Sequence, residues 1–173
     1  MAVRLDPDRA ISGLREGRFL VVGRAGMDLY PDPPGTKIAE ATTFKADLGG
    51  SAGNIAVAIA RHGKAAALVS VLSHDAVGRF TAARLATYGV ATDCIAYADG
   101  VDQAMVRNSL ALAESVPVDA EVVIYRNNAS DMCLSVAHVA SLGLDDVAGV
   151  VITGTALSDA PSDAALAYLA DAA

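Results

Sequence analysis

The chain has 173 residues, 53% hydrophobic and 19% charged, enough apolar material for about one domain with a full core and too little polarity for a disordered chain. Its net charge of -7, with only 13 Lys and Arg, excludes a nucleic-acid partner gripped through its phosphates and leaves a small soluble ligand as the expectation. The two cysteines, Cys94 and Cys133, stand too far apart for a zinc knuckle or a disulfide framework, and free thiols suit a reducing cytoplasm.

Residues 1–18 mix Arg, Asp and Glu with isolated apolar positions, so they read as an amino-terminal extension and not as a signal peptide. No apolar run approaches the roughly 20 residues of a membrane-spanning helix, and no membrane partner is expected. Residues 19–22, Phe-Leu-Val-Val, are wholly apolar and predict a central parallel strand buried on both faces. Arg24 and Asp28 follow at its carboxyl end, where open α/β sheets bind ligands, and both become site candidates. The plain alternative for Asp28 is a solvated turn residue or a helix cap. Residues 30–35 cluster Pro, Asp and Gly, and 36–47 lack helical periodicity, so this segment predicts an excursion away from the main sheet.

Next comes Leu48-Gly49-Gly50-Ser51-Ala52-Gly53-Asn54, leading into an apolar helix that Gly63 closes. The glycines permit positive φ and close backbone approach, Asn54 brings an amide that both donates and accepts, and a helix amino terminus favours oxygen-rich or anionic ligands. A tight strand-to-helix turn with no ligand satisfies the same residues. Residues 65–71 predict a second buried strand, and 75–88 a helix with Val77, Thr81, Leu85 and Tyr88 at helical spacing, closed by Gly89. Residues 94–98, 103–112 and 121–125 read as extended, the last two as a hairpin returning to the excursion. The polar run 125–131 is a site loop or an exposed loop. Short helical segments over 134–148, a buried strand over 149–154 and a helix from Pro161 complete the chain. The pattern is α/β with a mostly parallel sheet, and its end reads as an interruption partway through a larger α/β domain.

Several motifs fail. Gly23-Arg24-Ala25-Gly26 lacks the dinucleotide spacing, Gly63-Lys64 lacks both the preceding glycine and the following hydroxyl of a P-loop, and His62, His74 and His138 lack metal-ligand spacing. No metal site is expected. In contrast, Gly49-Gly50-Ser51-Ala52-Gly53-Asn54-Ile55-Ala56, followed by Gly63, resembles the amino-terminal signature of the PfkB or ribokinase-like sugar kinases. Asp75, Gly78 and Phe80 match a later part of that pattern, while Ser73 stands where the family has glycine. The markers Gly23-Arg24-Ala25 with Asp28-Leu29, Tyr125-Arg126 with Asp131, and Gly154 to Leu157 before Pro161-Ser162 resemble a branch of the family that acts on a sugar acid in inositol catabolism.

The resemblance implies a ribokinase-like three-layer sandwich over residues 19–173 with a small β lid made by about 36–47 and 103–125. It implies that Asp28, Gly49, Gly50 and Asn54 hold sugar hydroxyls, and the guanidinium forks of Arg24 and Arg126 are read as partners for the carboxylate of a sugar acid. ATP and Mg are the cofactors it implies for the intact enzyme, neither held tightly by this chain. The Gly-Ala-Gly-Asp motif that carries the anion hole and general base in such kinases does not occur in these 173 residues, so no catalytic residue is expected here. The expectation is a substrate-binding half, inactive alone. The alternative is a non-catalytic sugar-binding or interaction module, self-associating through its lid or an exposed sheet edge.

Overall fold

A computed structural model describes residues 14, 16–98 and 105–173. The described residues build two sheets of four strands each. The first is parallel throughout: β1 (Arg18–Val22), β4 (Ala66–Leu72), β5 (Ile95–Tyr97) and β8 (Val147–Ile152) lie in the order β5-β4-β1-β8. Every residue of β4 is buried, the signature of a strand covered on both faces. Alternation along β1 divides the core. Leu20 and Val22 pack with Leu134, Val139, Leu166 and Leu169, whereas Val21 packs with Ala52, Ala56, Val57 and Leu85. The first group brings α3 (Val136–Ala140) and α4 (Ser162–Ala172) onto one face, and the second brings α1 (Ser51–Arg61) and α2 (Ala76–Thr87) onto the other. Three layers result. Each fully buried Leu or Val contributes about 1.5–3 kcal/mol, far more than helix propensity does, so burial and not propensity holds these helices.

The helix ends follow local chemistry. Gly63 and Gly89 close α1 and α2 with φ of +77° and +80°, a region that a side chain would strain. Asp75 caps α2, its Oδ1 accepting from the amides of Val77 and Gly78, both at 3.0 Å.

The second sheet is the excursion. Its order is β3-β2-β6-β7, with β2 (Gly26–Pro31) antiparallel to β3 (Phe44–Gly49), parallel to β6 (Leu110–Ala113), and β7 (Val122–Tyr125) closing a hairpin with β6. Buried Glu114 ties its loops together: its carboxylate accepts from the amides of Ile38 and Glu121 and from the Lys37 ammonium.

Three details differ from the expectation. The second sheet begins at Gly26, so Asp28 sits inside a strand and not in a turn, because β2 extends the chain beside β3 and β6. Residues 36–43 hold only a short 3-10 turn, Ile38–Glu40, and strand pairing resumes at Phe44 and continues through Gly49. The strand expected over 149–154 is half-buried along its length, since it forms the edge of the parallel sheet. Part of the expected segment 103–125, and most of the 1–18 extension, lies outside the described residues.

Asn108, just before β6, joins the two sheets. Its Oδ1 accepts from the Ser73 amide at 3.3 Å and the Ser130 hydroxyl at 3.2 Å, and its Nδ2 donates to the Ala25 carbonyl at 3.3 Å and the Thr81 hydroxyl at 3.1 Å. The Asn108 amide donates to the Ser73 hydroxyl, which in turn donates to Asp75 Oδ1. Ser73 is therefore a working part of the junction.

Candidate functional site

The carboxyl end of β1 meets the start of α1 at a close backbone crossing. Gly50 is the N-cap of α1 with φ of +90°, and a Cβ there would lie 2.4 Å from the Arg24 carbonyl oxygen. That same carbonyl accepts from the amides of Ala52 and Gly53 at 3.1 and 3.3 Å. The helix terminus expected to face a ligand thus directs two of its N–H groups at the protein's own backbone. What the glycines provide is room.

Gly49 makes the room that matters most. A Cβ at that position would fall 1.7 Å from Asp28 Oδ1, so glycine is what lets the carboxylate occupy its place. Asp28 is half-buried; Oδ2 accepts from the Tyr30 hydroxyl at 3.2 Å, while Oδ1 is buried without a hydrogen-bond partner. Burial, foremost, raises its carboxyl above the ordinary carboxylate range, and the nearby Asp47 adds to that, against the opposing pull of the Tyr30 hydrogen bond and the Arg24 charge. The Arg24 side chain is buried and donates to the Ser109 hydroxyl at 3.4 Å. A buried acceptor atom with nothing to accept from is a place where a ligand donor gains a strong hydrogen bond.

Asn54 lies on the exposed face of α1 and lines a cleft of about 340 Å³ with Tyr30, Asp47, Leu48, Val57, Arg61 and Tyr88. A larger cleft of about 740 Å³ opens near Arg18, Ala65 and Val147, at the amino ends of β1, β4 and β8, opposite the edge where parallel sheets place their ligands.

The expected residues therefore divide. Asp28, Gly49, Gly50 and Arg24 come together at the junction of β1, β2, β3 and α1, and Asn54 stands on the adjoining helix face. Arg126 is engaged with the protein itself. Its Nε and Nη2 donate to Asp131 Oδ2 at 3.0 and 2.7 Å, Nη1 donates to Ser158 Oγ at 2.9 Å, and Nη2 also reaches the Thr155 carbonyl at 2.7 Å. It pins the polar loop 125–131 to the segment after β8. Asp131 is itself buried, which makes this pair an internal anchor.

Tyr30, Asp47, Arg84 and Tyr88 escape a reading of the sequence. Tyr30 could be found by period-2 counting from Asp28 once residues 26–31 are recognised as a strand. Asp47 could not, because its place opposite Asp28 depends on strand register. Among the described residues no group of three or more His, Cys, Asp or Glu could hold a metal ion, and no helix is long and apolar enough to cross a membrane.

The model of the pfkB family carbohydrate kinases matches residues 17–173. A 5-dehydro-2-deoxygluconokinase of Photobacterium profundum is 35% identical over 160 residues, covering 92% of this chain and 45% of the relative, and one of Clostridium botulinum is 32% identical over 157 residues, covering 90% and 45%. The chain thus spans just under half the length of these relatives. Among solved structures, 2-dehydro-3-deoxygluconokinase from Thermotoga maritima superposes with a TM-score of 0.78 at 21% identity, over 90% of this chain and 47% of that one, which shows the ribokinase-like α/β fold.

Proposed function

The chain belongs to the pfkB family of carbohydrate kinases, and from that premise we propose that it forms the substrate-binding half of an enzyme that transfers the γ-phosphoryl of ATP to a primary hydroxyl of 5-dehydro-2-deoxygluconate or a related sugar acid. The observation that carries this reading is the buried, unpartnered Asp28 Oδ1 beside the Gly49 backbone. A sugar hydroxyl donating to that atom removes an unsatisfied acceptor and makes a charge-assisted hydrogen bond, worth about 1.5–3 kcal/mol. Asn54, with one carbonyl and one amide group, distinguishes donor from acceptor on a second hydroxyl. Arg24, buried and positively charged near Asp28, is the better placed of the two arginines for a substrate carboxylate, since Arg126 already holds Asp131. The names of the Photobacterium and Clostridium relatives support the choice of sugar acid.

Phosphoryl transfer depends on positioning and charge stabilisation. This chain's own residues supply the positioning: they orient the sugar, and the second sheet, acting as the lid, shields it from water. ATP and Mg belong to the intact enzyme. The described residues hold no carboxylate cluster fit for a metal, and two amides of the α1 terminus are spent on the Arg24 carbonyl. The general base and the anion hole are assigned to the portion of the relatives' length that this chain does not span, and the chain by itself is expected to be inactive. A non-catalytic sugar-binding module that pairs with a second copy is the alternative, favoured by the exposed Val122 and Ile124 on the edge strand β7. Two free cysteines suit a cytoplasmic setting.

Calorimetry on the 173-residue chain tests the reading. Binding of 5-dehydro-2-deoxygluconate without binding of ATP is the expected result; ATP bound in the absence of sugar binding refutes it. A carboxylate-free analogue binding as tightly as the acid would remove the arginines from the site.

A further inference from the structure

Asp28 and Asp47 are direct partners across the antiparallel β2–β3 pair, so two carboxylates share one face of the sheet. Like charges in that position repel and weaken the pairing. The structure answers this from a different element. Arg84 on α2 donates through Nε and Nη2 to Asp47 Oδ1 at 3.0 and 2.7 Å, the Tyr88 hydroxyl lies 2.9 Å from both Asp47 oxygens, and the Leu48 amide donates to Oδ1 at 2.7 Å. The guanidinium groups of Arg84 and Arg61 lie 4.8 and 4.9 Å from the centre of the Tyr88 ring, which fixes the ring by cation–π attraction. Burial alone would raise the Asp47 carboxyl, but the hydrogen bonds from Arg84, Leu48 and Tyr88 outweigh it and hold that carboxyl below the usual range.

We propose that Arg84 and Tyr88 are positioning residues for the substrate site: by clamping and neutralising Asp47 they keep the Asp28 carboxylate ionised as the acceptor of a sugar hydroxyl. This rests on the reading of Asp28 as a sugar ligand. The groups that face the two carboxylates are few. Tyr30 on β2 and Arg24 from the preceding loop act on Asp28, whose β6 partner, Ala111, is apolar; Arg84 and Tyr88 act on Asp47; Asn54 and Arg61 on α1 line the same cleft. Arg84 makes the only ion pair to Asp47 among the described residues. Without it the Asp47 charge acts on Asp28 uncompensated, Asp28 takes up a proton at higher pH, and a protonated carboxyl loses its strength as an acceptor. The clamp also explains why α2, which contributes nothing to the junction at Gly49, reaches over to β3.

The test follows the Asp28 carboxyl directly, by ¹³C NMR titration of the 173-residue chain, together with calorimetric sugar binding as a function of pH. Arg84→Gln should move the Asp28 midpoint, and the acidic limb of binding with it, to higher pH, with a several-fold affinity loss on that limb. Asp47→Asn should move both to lower pH, and the double variant Arg84→Gln/Asp47→Asn should follow Asp47→Asn. Tyr88→Phe, a milder change, should shift in the direction of Arg84→Gln by less. An Asp28 midpoint that stays put in all variants, or that moves equally in Arg84→Gln and the double variant, overturns the proposal. Shifts as expected in a chain that binds no sugar support the clamp and overturn the sugar assignment alone.

Discussion

Replacing Asp28 with Asn should stabilise the fold while weakening the proposed sugar binding. In the wild type Oδ1 is buried without a partner, Oδ2 has only the Tyr30 hydroxyl at 3.2 Å, and Asp47 lies directly across the strand pair. An orphaned buried acceptor costs about 1–3 kcal/mol and a like charge across a ladder about 0.2–1 kcal/mol. The amide keeps the shape and the acceptor for Tyr30 but brings a new N–H₂ group needing a partner, which offsets part of the gain. The net expectation is stabilisation of about 1 kcal/mol at neutral pH, a rise in Tm of about 2–4 °C for a chain of this size. Its sign with pH is definite. A carboxyl raised in the folded state binds its proton there before it does in the unfolded chain, so wild-type stability increases as pH falls through the folded pKa, and the advantage of the variant should shrink in acid. Sugar affinity should fall about 10- to 100-fold, the loss of one charge-assisted hydrogen bond. Urea unfolding at pH 7 and pH 4 with calorimetry at pH 7 reads all three. A variant less stable by 1 kcal/mol or more that still binds sugar normally would show that the carboxylate is a structural anchor, and the reasoning would be wrong.

Arg126→Ala should cost about 3–5 kcal/mol by leaving Asp131 buried and unpaired, with Arg126→Lys recovering only part because an ammonium cannot fork, both read by chemical denaturation; a ligand role would instead show as lost affinity for the acid at unchanged stability. Asn108→Ala removes the side chain that joins the sheets and strands several buried partners, so unfolding stability should fall by about 2–4 kcal/mol. Asp75→Ala should cost about 1–2 kcal/mol at neutral pH through loss of the α2 cap. Although burial opposes it, hydrogen bonds from Gly78, Ser73 and Val77 hold the Asp75 carboxyl below its ordinary value, so this stabilisation is present above the unfolded pKa and is lost as pH falls through the folded one; the two stability curves should converge in acid.

Much of the frame is legible in the sequence. The apolar runs of β1 and β4 name themselves as doubly covered strands, and Asp75, Gly63 and Gly89 mark helix ends by their own chemistry. The spacing of a family signature singles out Asp28, Gly49 and Gly50 as candidates, and the fold brings the three to one junction. The roles inside that junction were less legible. The glycines looked like a ligand cradle, yet Gly50 admits the Arg24 carbonyl and Gly49 admits Asp28 itself. Arg126 reads from the sequence as a fork for an acid, and in the fold its guanidinium is paired with buried Asp131.

The sequence by itself determined the buried strands β1 and β4 and the helices α1 and α2, because those depend on side-chain periodicity and on backbone preferences within a few residues. Tertiary structure alone decided the partners: Asp47 opposite Asp28 by register, Arg84 reaching Asp47 from 37 residues away, and Asn108, just before β6, joined to Thr81 on α2. A carboxylate's charge state depends on burial and on neighbours within a few ångströms. Chain proximity does not specify those neighbours, so the character of Asp28 as an unsatisfied acceptor depends on the pairing of β2 with β3, which sets Gly49 and Asp47 beside it.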